Sequence, residues 1–215
     1  MPLDKKTITE AIKEAKAKSG GKKFNQTVDL ILNIMEIDMK APEGKITEVV
    51  ELPHVGKPNK VCVVASGELA MKARRGNADK VLERTDLDAL AGKKKDLRKI
   101  ANDYDVFVAE APLMPIVGKT LGPVLGPRGK MPIPVPPTAD VATIMEKHRK
   151  TVLVRMRNQP IIQVSIGTEN MSEDELWDNT QAVIRVLEAK LKRGMKNVKT
   201  AYIKTSMGTP VKIKP

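Results

Sequence analysis

The sequence is poor in the residues that build disulfides and metal sites. Its 215 residues include one cysteine, Cys62, and two histidines, His54 and His148. A single cysteine excludes an internal disulfide and fits a reducing compartment. Structural zinc sites use four cysteine or histidine ligands at short, regular spacings, and the sequence has no such spacing. We therefore expect neither a bound metal nor a cofactor.

Long apolar runs are also missing. No segment of the sequence approaches the roughly 18 consecutive apolar residues that mark a membrane-spanning helix. The first residues, Met1 to Lys6, lack the apolar core of a signal peptide. We expect a protein that does not enter a membrane and that works in the cytoplasm.

Aromatic and acidic residues are both scarce beside the basic ones. Aromatic residues make up 2% of the chain, and 38 Lys and Arg face 26 Asp and Glu, which gives a net charge of +12 and a pI near 9.7. Such an excess favours a polyanionic partner, most often nucleic acid. Because base stacking needs exposed aromatic platforms, we expect instead a shaped surface that contacts the phosphates and 2′-hydroxyls of a folded RNA.

Glycine and proline, by contrast, concentrate between Gly118 and Pro132. This segment holds four Gly, three Pro, two Lys and one Arg. Gly permits unusual backbone angles and Pro fixes its own, so the composition predicts a shaped loop that presents cations to phosphate. A P-loop needs a glycine five residues before its Gly-Lys pair, but Leu113 occupies that position. No dinucleotide-binding glycine pattern follows the first buried strand either.

The middle of the chain differs in pattern from its ends. Val61–Ala65 and Val106–Ala109 are continuous apolar runs, typical of strands covered on both faces, with helical segments between them. Near the N-terminus, Val28–Leu32 follows the alternation of a half-exposed strand. Near the C-terminus, Ser172 and Glu175 form a capping box that opens a long helix.

The predicted fold is therefore a discontinuous α+β domain with an inserted Rossmann-like α/β domain of three layers. The discontinuous domain covers residues 1–56 and 154–215, and the insert covers 57–153. Insertion is tolerated because the entry and exit strands can lie side by side. The two crossings between the domains would form a double hinge, at His54, Val55, Gly56, Val154 and Arg155.

Two short polar segments are suited to reading RNA. One is Gly21–Asp29, at the entry of a strand and with an exposed Phe24, and the other is Lys204–Pro210, where a strand runs into a turn. Both are rich in hydroxyl and amide groups, which can bond 2′-hydroxyls. Gly208 lets a backbone come close.

Four motifs occur in order along the chain. They are Lys23-Phe24-x-x-Thr27-Val28, Leu52-Pro53-His54, Leu121-Gly122-x-x-Leu125-Gly126-Pro127-Arg128-Gly129-x-Met131-Pro132 and Thr205-Ser206-Met207-Gly208. With them the chain resembles the family of ribosomal protein one of the large subunit, in its archaeal form with a short N-terminus. The third motif is long enough to be specific, and the order and spacing fit nearly the whole chain.

The resemblance implies the same two-domain fold and a place in the mobile lateral stalk, where the protein binds a compact rRNA element and helps deacylated tRNA to leave the exit site. Many relatives also repress translation by binding an rRNA-like site on their own mRNA. The implied protein is no enzyme and is monomeric when free. Its partners would be large-subunit rRNA, exit-site tRNA, its own mRNA and other ribosomal components.

The resemblance also carries over the residues that contact rRNA. From the motifs, these candidates are Lys23, Phe24, Thr27, Thr205, Ser206, Met207 and Gly208. Asp29 stands where relatives often have Glu, Ser206 where they often have Thr, and Gln163 where some carry His. Within the Gly/Pro segment, the candidates for a secondary contact with RNA, or for shaping the insert, are Gly126, Arg128, Gly129 and Lys130.

Two other function classes stay open on the residues alone. An enzyme built on the α/β insert would act on a phosphorylated or nucleotide substrate, and substitution of Arg128 and Lys130 would then abolish turnover with rRNA binding intact. A non-ribosomal RNA-binding regulator would fail to sediment with large ribosomal subunits at moderate salt.

Overall fold

The computed structural model describes residues 4–37, 46–156 and 159–213, so Met1 to Leu3 lie outside the described residues. The helices are α1 (Lys5–Ala17), α2 (Gly67–Arg75), α3 (Arg84–Leu90), α4 (Lys94–Asp103), α5 (Met114–Thr120), α6 (Gly122–Arg128), α7 (Val141–Arg149) and α8 (Glu173–Lys190). The strands are β1 (Thr27–Ile34), β2 (Thr47–Glu51), β3 (Val61–Val64), β4 (Lys80–Leu82), β5 (Val106–Glu110), β6 (Ile133–Val135), β7 (Thr151–Arg155), β8 (Ile161–Thr168), β9 (Val198–Thr205) and β10 (Val211–Lys212). Helices and sheets are thus mixed along the chain.

These elements form two compact units. The first unit joins Met1–Lys57 to Lys150–Pro215, and the second unit is Pro58–Arg149. The chain returns to the first unit after Arg149, whereas the sequence suggested residue 154. The return is earlier because β7 pairs with β2 along its whole length. Thr151 lies opposite Glu51 in this pair.

The first unit is organised around β1. This strand lies between β9 and β8 in an antiparallel sheet of order β10-β9-β1-β8. Val28, Leu30 and Leu32 are fully buried on the face that α1 and α8 cover, which confirms the expected alternation. Their neighbours Thr27 and Asp29 lie on the opposite, more open face, since successive side chains of a strand point to opposite sides.

Helix α8 begins as the sequence predicts. The Ser172 hydroxyl accepts a hydrogen bond from the Glu175 backbone N–H (3.2 Å), and the Glu175 carboxylate accepts one from the Ser172 backbone N–H (2.7 Å). These reciprocal bonds satisfy N–H groups that a helix start would otherwise leave unpaired. They also hold the pKa of Glu175 below its usual range.

The second unit is built on a parallel sheet of order β4-β3-β5-β6. Helices cover both of its faces. Leu97 of α4 and Leu125 of α6 belong to the apolar cluster on one face, and Ala73 of α2 and Met145 of α7 belong to the cluster on the other. Burial on both faces explains why every residue of β3 is apolar and buried.

The Gly118–Pro132 segment is not the loop that its composition suggested. Its first residues end α5, and α6 occupies Gly122–Arg128. Pro123 sits in the first turn of α6, where a missing backbone N–H costs nothing. Gly129 ends the helix with a left-handed φ of 73°. The segment is helical because Leu121 and Leu125, four residues apart, are fully buried on one side of it.

Neither a membrane span nor a metal cluster is found in the described part of the chain. None of its helices is long and apolar enough to cross a bilayer, and no three of its His, Cys, Asp and Glu side chains are grouped to hold a metal ion. Burial in β3 raises the pKa of the Cys62 thiol to about 12. That thiol therefore stays protonated and unreactive at neutral pH.

Candidate nucleic-acid interface

The two polar segments meet at one end of the first unit's sheet. The Ser206 backbone N–H, just after β9, donates to the carbonyl of Thr27 at the start of β1 (3.0 Å). In return the Thr27 backbone N–H donates to the Ser206 hydroxyl (3.2 Å), and that hydroxyl lies 3.3 Å from Thr27 Oγ1. Segments that are 179 residues apart in sequence thus form one surface.

Two large apolar side chains on this surface face solvent. Phe24 is 52% exposed and Met207 is 64% exposed. Lys22 and Lys23, beside Phe24, are exposed as well. Exposed apolar groups next to cations and hydroxyls match a folded RNA, whose sugars and bases offer apolar faces between phosphates.

A fully buried glutamine, Gln26, holds the surface in shape. Its side-chain oxygen accepts a hydrogen bond from the backbone N–H of Met207 (2.9 Å). Its amide nitrogen donates to the Ser19 carbonyl (3.1 Å) and to the Glu169 carboxylate (3.3 Å). Sequence reasoning missed Gln26, because a buried glutamine among polar neighbours looks like any other loop residue.

Two of the predicted contact residues lie inside the surface rather than on it. Thr205 is fully buried, and its hydroxyl has no hydrogen-bond partner among the described residues. Gly208 is buried too, and a Cβ placed on it would come within 2.2 Å of Thr205 Oγ1. Both residues shape the turn that carries Ser206 and Met207, and their direct contact with RNA stays a prediction.

The open face of the sheet continues this surface. Asp29 lies opposite Lys204 on β9 and Ser165 on β8. The next pair along the same face joins Ile31 to the exposed Gln163. Burial raises the pKa of Asp29, and the charge of Lys204 opposes that rise. Thr27, Asp29 and Gln163 thus share one face, as a common RNA contact requires.

The candidates of the Gly/Pro segment have structural partners in the second unit. The Lys130 ammonium donates to the carbonyls of Ala101 (3.2 Å) and Tyr104 (2.7 Å) at the end of α4, and lies 3.3 Å from Asp105 Oδ1. Lys130 is therefore a helix cap. The Arg128 guanidinium donates to Asn102 Oδ1 (2.5 Å).

Gly126 and Gly129 likewise serve the end of α6. The Gly129 backbone N–H donates to the Gly126 carbonyl (3.0 Å), and the Lys130 backbone N–H donates to the Leu125 carbonyl (3.1 Å). These bonds satisfy carbonyls that a helix end leaves unpaired. Gly126, Gly129 and Lys130 of the Gly/Pro segment therefore have structural roles at the end of α6.

Most of the predicted hinge residues are held within the first unit. Val154 and Arg155 lie inside β7, opposite Glu48 and Thr47. A Cβ on Gly56 would come 2.7 Å from Thr168 Oγ1. The chain passes between the two units after Lys57 and after Arg149.

A buried asparagine fixes the segment that leads to the first crossing. The side chain of Asn179 accepts a hydrogen bond from the His54 backbone N–H (3.0 Å) and donates one to the His54 carbonyl (2.8 Å). The same amide also donates to the Ile166 carbonyl (2.7 Å). No sequence pattern marked Asn179, which lies among the apolar residues of α8.

The mix of helices and sheets in this chain is consistent with the known proteins that it resembles in sequence. The sequence profile of the ribosomal protein L1p/L10e family matches residues 5–209. The chain belongs to this family. It is 44% identical to large ribosomal subunit protein uL1 of Methanothermobacter thermautotrophicus, over 96% of this chain and 98% of that protein. It is 44% identical to uL1 of Pyrococcus abyssi, over 100% and 98% of the two chains, and 41% identical to uL1 of Archaeoglobus fulgidus, over 99% and 100%.

Membership confirms the resemblance carried by the four motifs, including its archaeal type. As a ribosomal protein of this family, the chain is a structural, rRNA-binding component of the large subunit in the cytoplasm and is not an enzyme. The alternative function, an enzyme built on the α/β insert, is therefore not favoured.

The contact between Gly208 and Thr205 allows a test of the turn. Gly208→Ala should lower the free energy of unfolding by about 1–3 kcal/mol, because its Cβ would overlap Thr205 Oγ1. Urea denaturation measures the loss. Gly118→Ala is the matched control, since a Cβ there meets nothing within 4 Å and α5 favours Ala. A double-mutant cycle with Thr205→Ala should show that removing the hydroxyl recovers part of the loss; a coupling energy of zero would contradict the predicted overlap.

The raised pKa of Asp29 gives a prediction about pH. Its carboxyl binds a proton more tightly in the folded protein than in the unfolded chain, so ionisation of Asp29 opposes folding. This penalty is absent below the ordinary value of 3.8 and is complete above the raised folded pKa. Asp29→Asn should therefore become more stable relative to the parent as pH rises through that window, as urea midpoints from pH 3 to pH 8 would reveal. A variant less stable than the parent at neutral pH would mean that attraction to Lys204 outweighs burial.

Proposed function

We propose that this protein binds large-subunit rRNA in the mobile lateral stalk, through the surface formed where β1 begins and β9 ends. One observation carries the proposal: the exposed Phe24 and Met207 flank hydroxyls that are hydrogen-bonded to one another across the junction. Family membership supports the partner, and the geometry supports the place.

Each side chain has a distinct task in this binding. The hydroxyls of Thr27 and Ser206 and the carboxylate of Asp29 bond ribose 2′-hydroxyls, which are both donors and acceptors. Phe24 and Met207 pack on sugar or base faces, and Lys23 contacts phosphate. Gln163 extends the contact along β8. Because Gln26 holds the turn before RNA arrives, little conformational entropy is lost on binding.

The division of the chain into two units supports a role in the release of tRNA, which the family resemblance implies. We propose that the second unit is a Rossmann-like insert, joined to the first by a double hinge after Lys57 and after Arg149. Motion at this hinge would help deacylated tRNA to leave the exit site. The protein would be a monomer when free and would contact other ribosomal components when bound.

Repression of translation is a second proposed activity, and it uses the same surface. A surface that reads the shape of a folded RNA binds any RNA of that shape, so an rRNA-like site on the protein's own mRNA would compete for it. Free protein would then bind its mRNA when rRNA is saturated.

Substitution of Met207 tests the proposed site. Met207→Asp should weaken binding to a fragment of large-subunit rRNA by at least about tenfold, since it replaces an apolar contact with a charge that repels phosphate. Met71→Asp is the matched control: Met71 is 60% exposed, but it lies on α2 of the second unit. Fluorescence anisotropy measures affinity, and circular dichroism should show native structure in both variants. Equal affinity for the two variants would remove the turn from the site.

The dependence of binding on salt tests the kind of contact. Release of counterions from phosphates makes the logarithm of affinity fall linearly with the logarithm of salt concentration, with a slope set by the number of phosphates contacted. We expect substantial affinity to remain at high salt, where contacts to phosphate are screened, since most of the contacts proposed for this surface are uncharged. Titration of the same rRNA fragment from low to high salt gives the slope. A steep slope that accounts for nearly all of the affinity would contradict this mode of binding.

A further inference from the structure

Helix α4 of the second unit carries an exposed row of cations: Lys94, Lys95 and Arg98. None of the three forms an ion pair with another described residue. At about 100° per residue they lie on one flank of the helix, whereas the carboxylates of Asp96 and Asp103 lie on the other. We call these three residues the cationic row.

A fourth cation lies at the end of this row. Asn102 follows Arg98 by four residues, so it occupies the same flank one turn later. Its side-chain oxygen accepts the hydrogen bond from Arg128 at 2.5 Å, which places the guanidinium beside the row. Lys130 does not join the row, because its ammonium is bonded to carbonyls at the end of α4 and its side chain is only 26% exposed.

The row lowers the intrinsic stability of its own helix. Lys94 and Arg98 are four residues apart and Lys95 and Arg98 are three apart, so like charges face each other on neighbouring turns. Elsewhere the chain places opposite charges at this spacing: Glu14 pairs with Lys18 and Glu68 pairs with Lys72. An external anion would relieve the repulsion along α4.

The chemistry of the row selects among anionic partners. The exposed residues of α4 are all polar or charged, so the helix has no apolar group to insert into a lipid layer. Arg and Lys on a rigid helix suit phosphate groups, which Arg can bind with two parallel hydrogen bonds. The cationic row is therefore best suited to bind the phosphate backbone of RNA.

We propose that Lys94, Lys95, Arg98 and Arg128 form a second RNA-binding surface, which holds phosphates without reading bases. This inference rests on the proposed function in one respect, that the protein works on RNA. The RNA would be rRNA of the same subunit or a tRNA, since both present the same backbone. Contacts to phosphate alone add affinity that is sensitive to salt and indifferent to sequence.

A matched pair of double variants tests the surface in the full chain. Lys95→Gln with Arg98→Gln removes two charges from the row. Arg75→Gln with Lys147→Gln removes one Arg and one Lys, both exposed, from α2 and α7 on the other face of the parallel sheet. Each pair is made in the parent and in Met207→Asp, and binding to a labelled large-subunit rRNA fragment and to deacylated tRNA is measured from low to moderate salt.

We expect the row variant to bind at least one RNA about five- to tenfold more weakly at low salt, with a salt slope lower by about two, whereas the control changes affinity less than about twofold. If the row variant loses affinity for rRNA alone, or for tRNA alone, the result supports the surface and identifies its partner. Equal losses in the two pairs, or no loss with either RNA, would overturn it. So would unchanged RNA binding together with lost binding to anionic lipid vesicles.

The test of the cationic row does not depend on whether the surface around Met207 proves to bind rRNA. If Met207→Asp leaves the affinity for rRNA unchanged, the turn after β9 is not the main site, yet the comparison between the two double variants still decides whether the row binds RNA. The row variant should also melt at or above the temperature of the parent, because it removes repulsion along α4. Loss of affinity therefore cannot come from unfolding in a variant that meets this condition.

Discussion

The pairing of β1 with both β9 and β8 is the constraint on which the proposed RNA surface depends. Its register places Val28 opposite Thr205, so Thr27 and Ser206 become neighbours at the end of the sheet. A slip of one residue would turn Thr27 and Asp29 towards the core and bring Val28 to the open face. The burial of Val28, Leu30 and Leu32 against α1 and α8 opposes that slip.

Around this junction, buried polar groups set the geometry and exposed groups are left for binding. Gln26 uses both ends of its amide to tie the turn after β9 to the end of α1 and to Glu169. Asn179 fixes the His54 backbone in a similar way. Such residues work because a buried amide without partners is costly, so each one accepts only a narrow set of backbone positions.

The two proposed RNA surfaces, one on each unit, differ in their chemistry. The surface of the first unit combines hydroxyls, a half-buried carboxylate and two exposed apolar side chains, which favours a particular folded shape. The row on α4 has charge alone, which favours any phosphate backbone nearby. A protein that holds one RNA firmly while another passes would use these two modes together.

Much of the fold could be predicted because it depends on local pattern. The alternation from Val28 to Leu32 specified a half-covered strand, and the apolar run from Val61 specified a strand covered on both faces. The capping box at Ser172 located the start of α8. In the Gly/Pro segment composition misled: Leu121 and Leu125 had the spacing of a helix, and burial of that side outweighed the turn preferences of Gly and Pro.

The sequence by itself determined three features of the protein. Its charge indicated the class of partner, its periodicity indicated α+β ends with an α/β middle, and its four motifs indicated the family. Only the tertiary structure decided which motif residues face solvent. Thr205 and Met207 are two positions apart in one motif, yet one is fully buried and the other mostly exposed. Arg128 and Lys130 differ in their partners: Arg128 donates to Asn102 beside the row on α4, whereas Lys130 caps that helix. Exposure depends on what packs against a side chain from distant parts of the chain, and short-range sequence pattern does not contain that information.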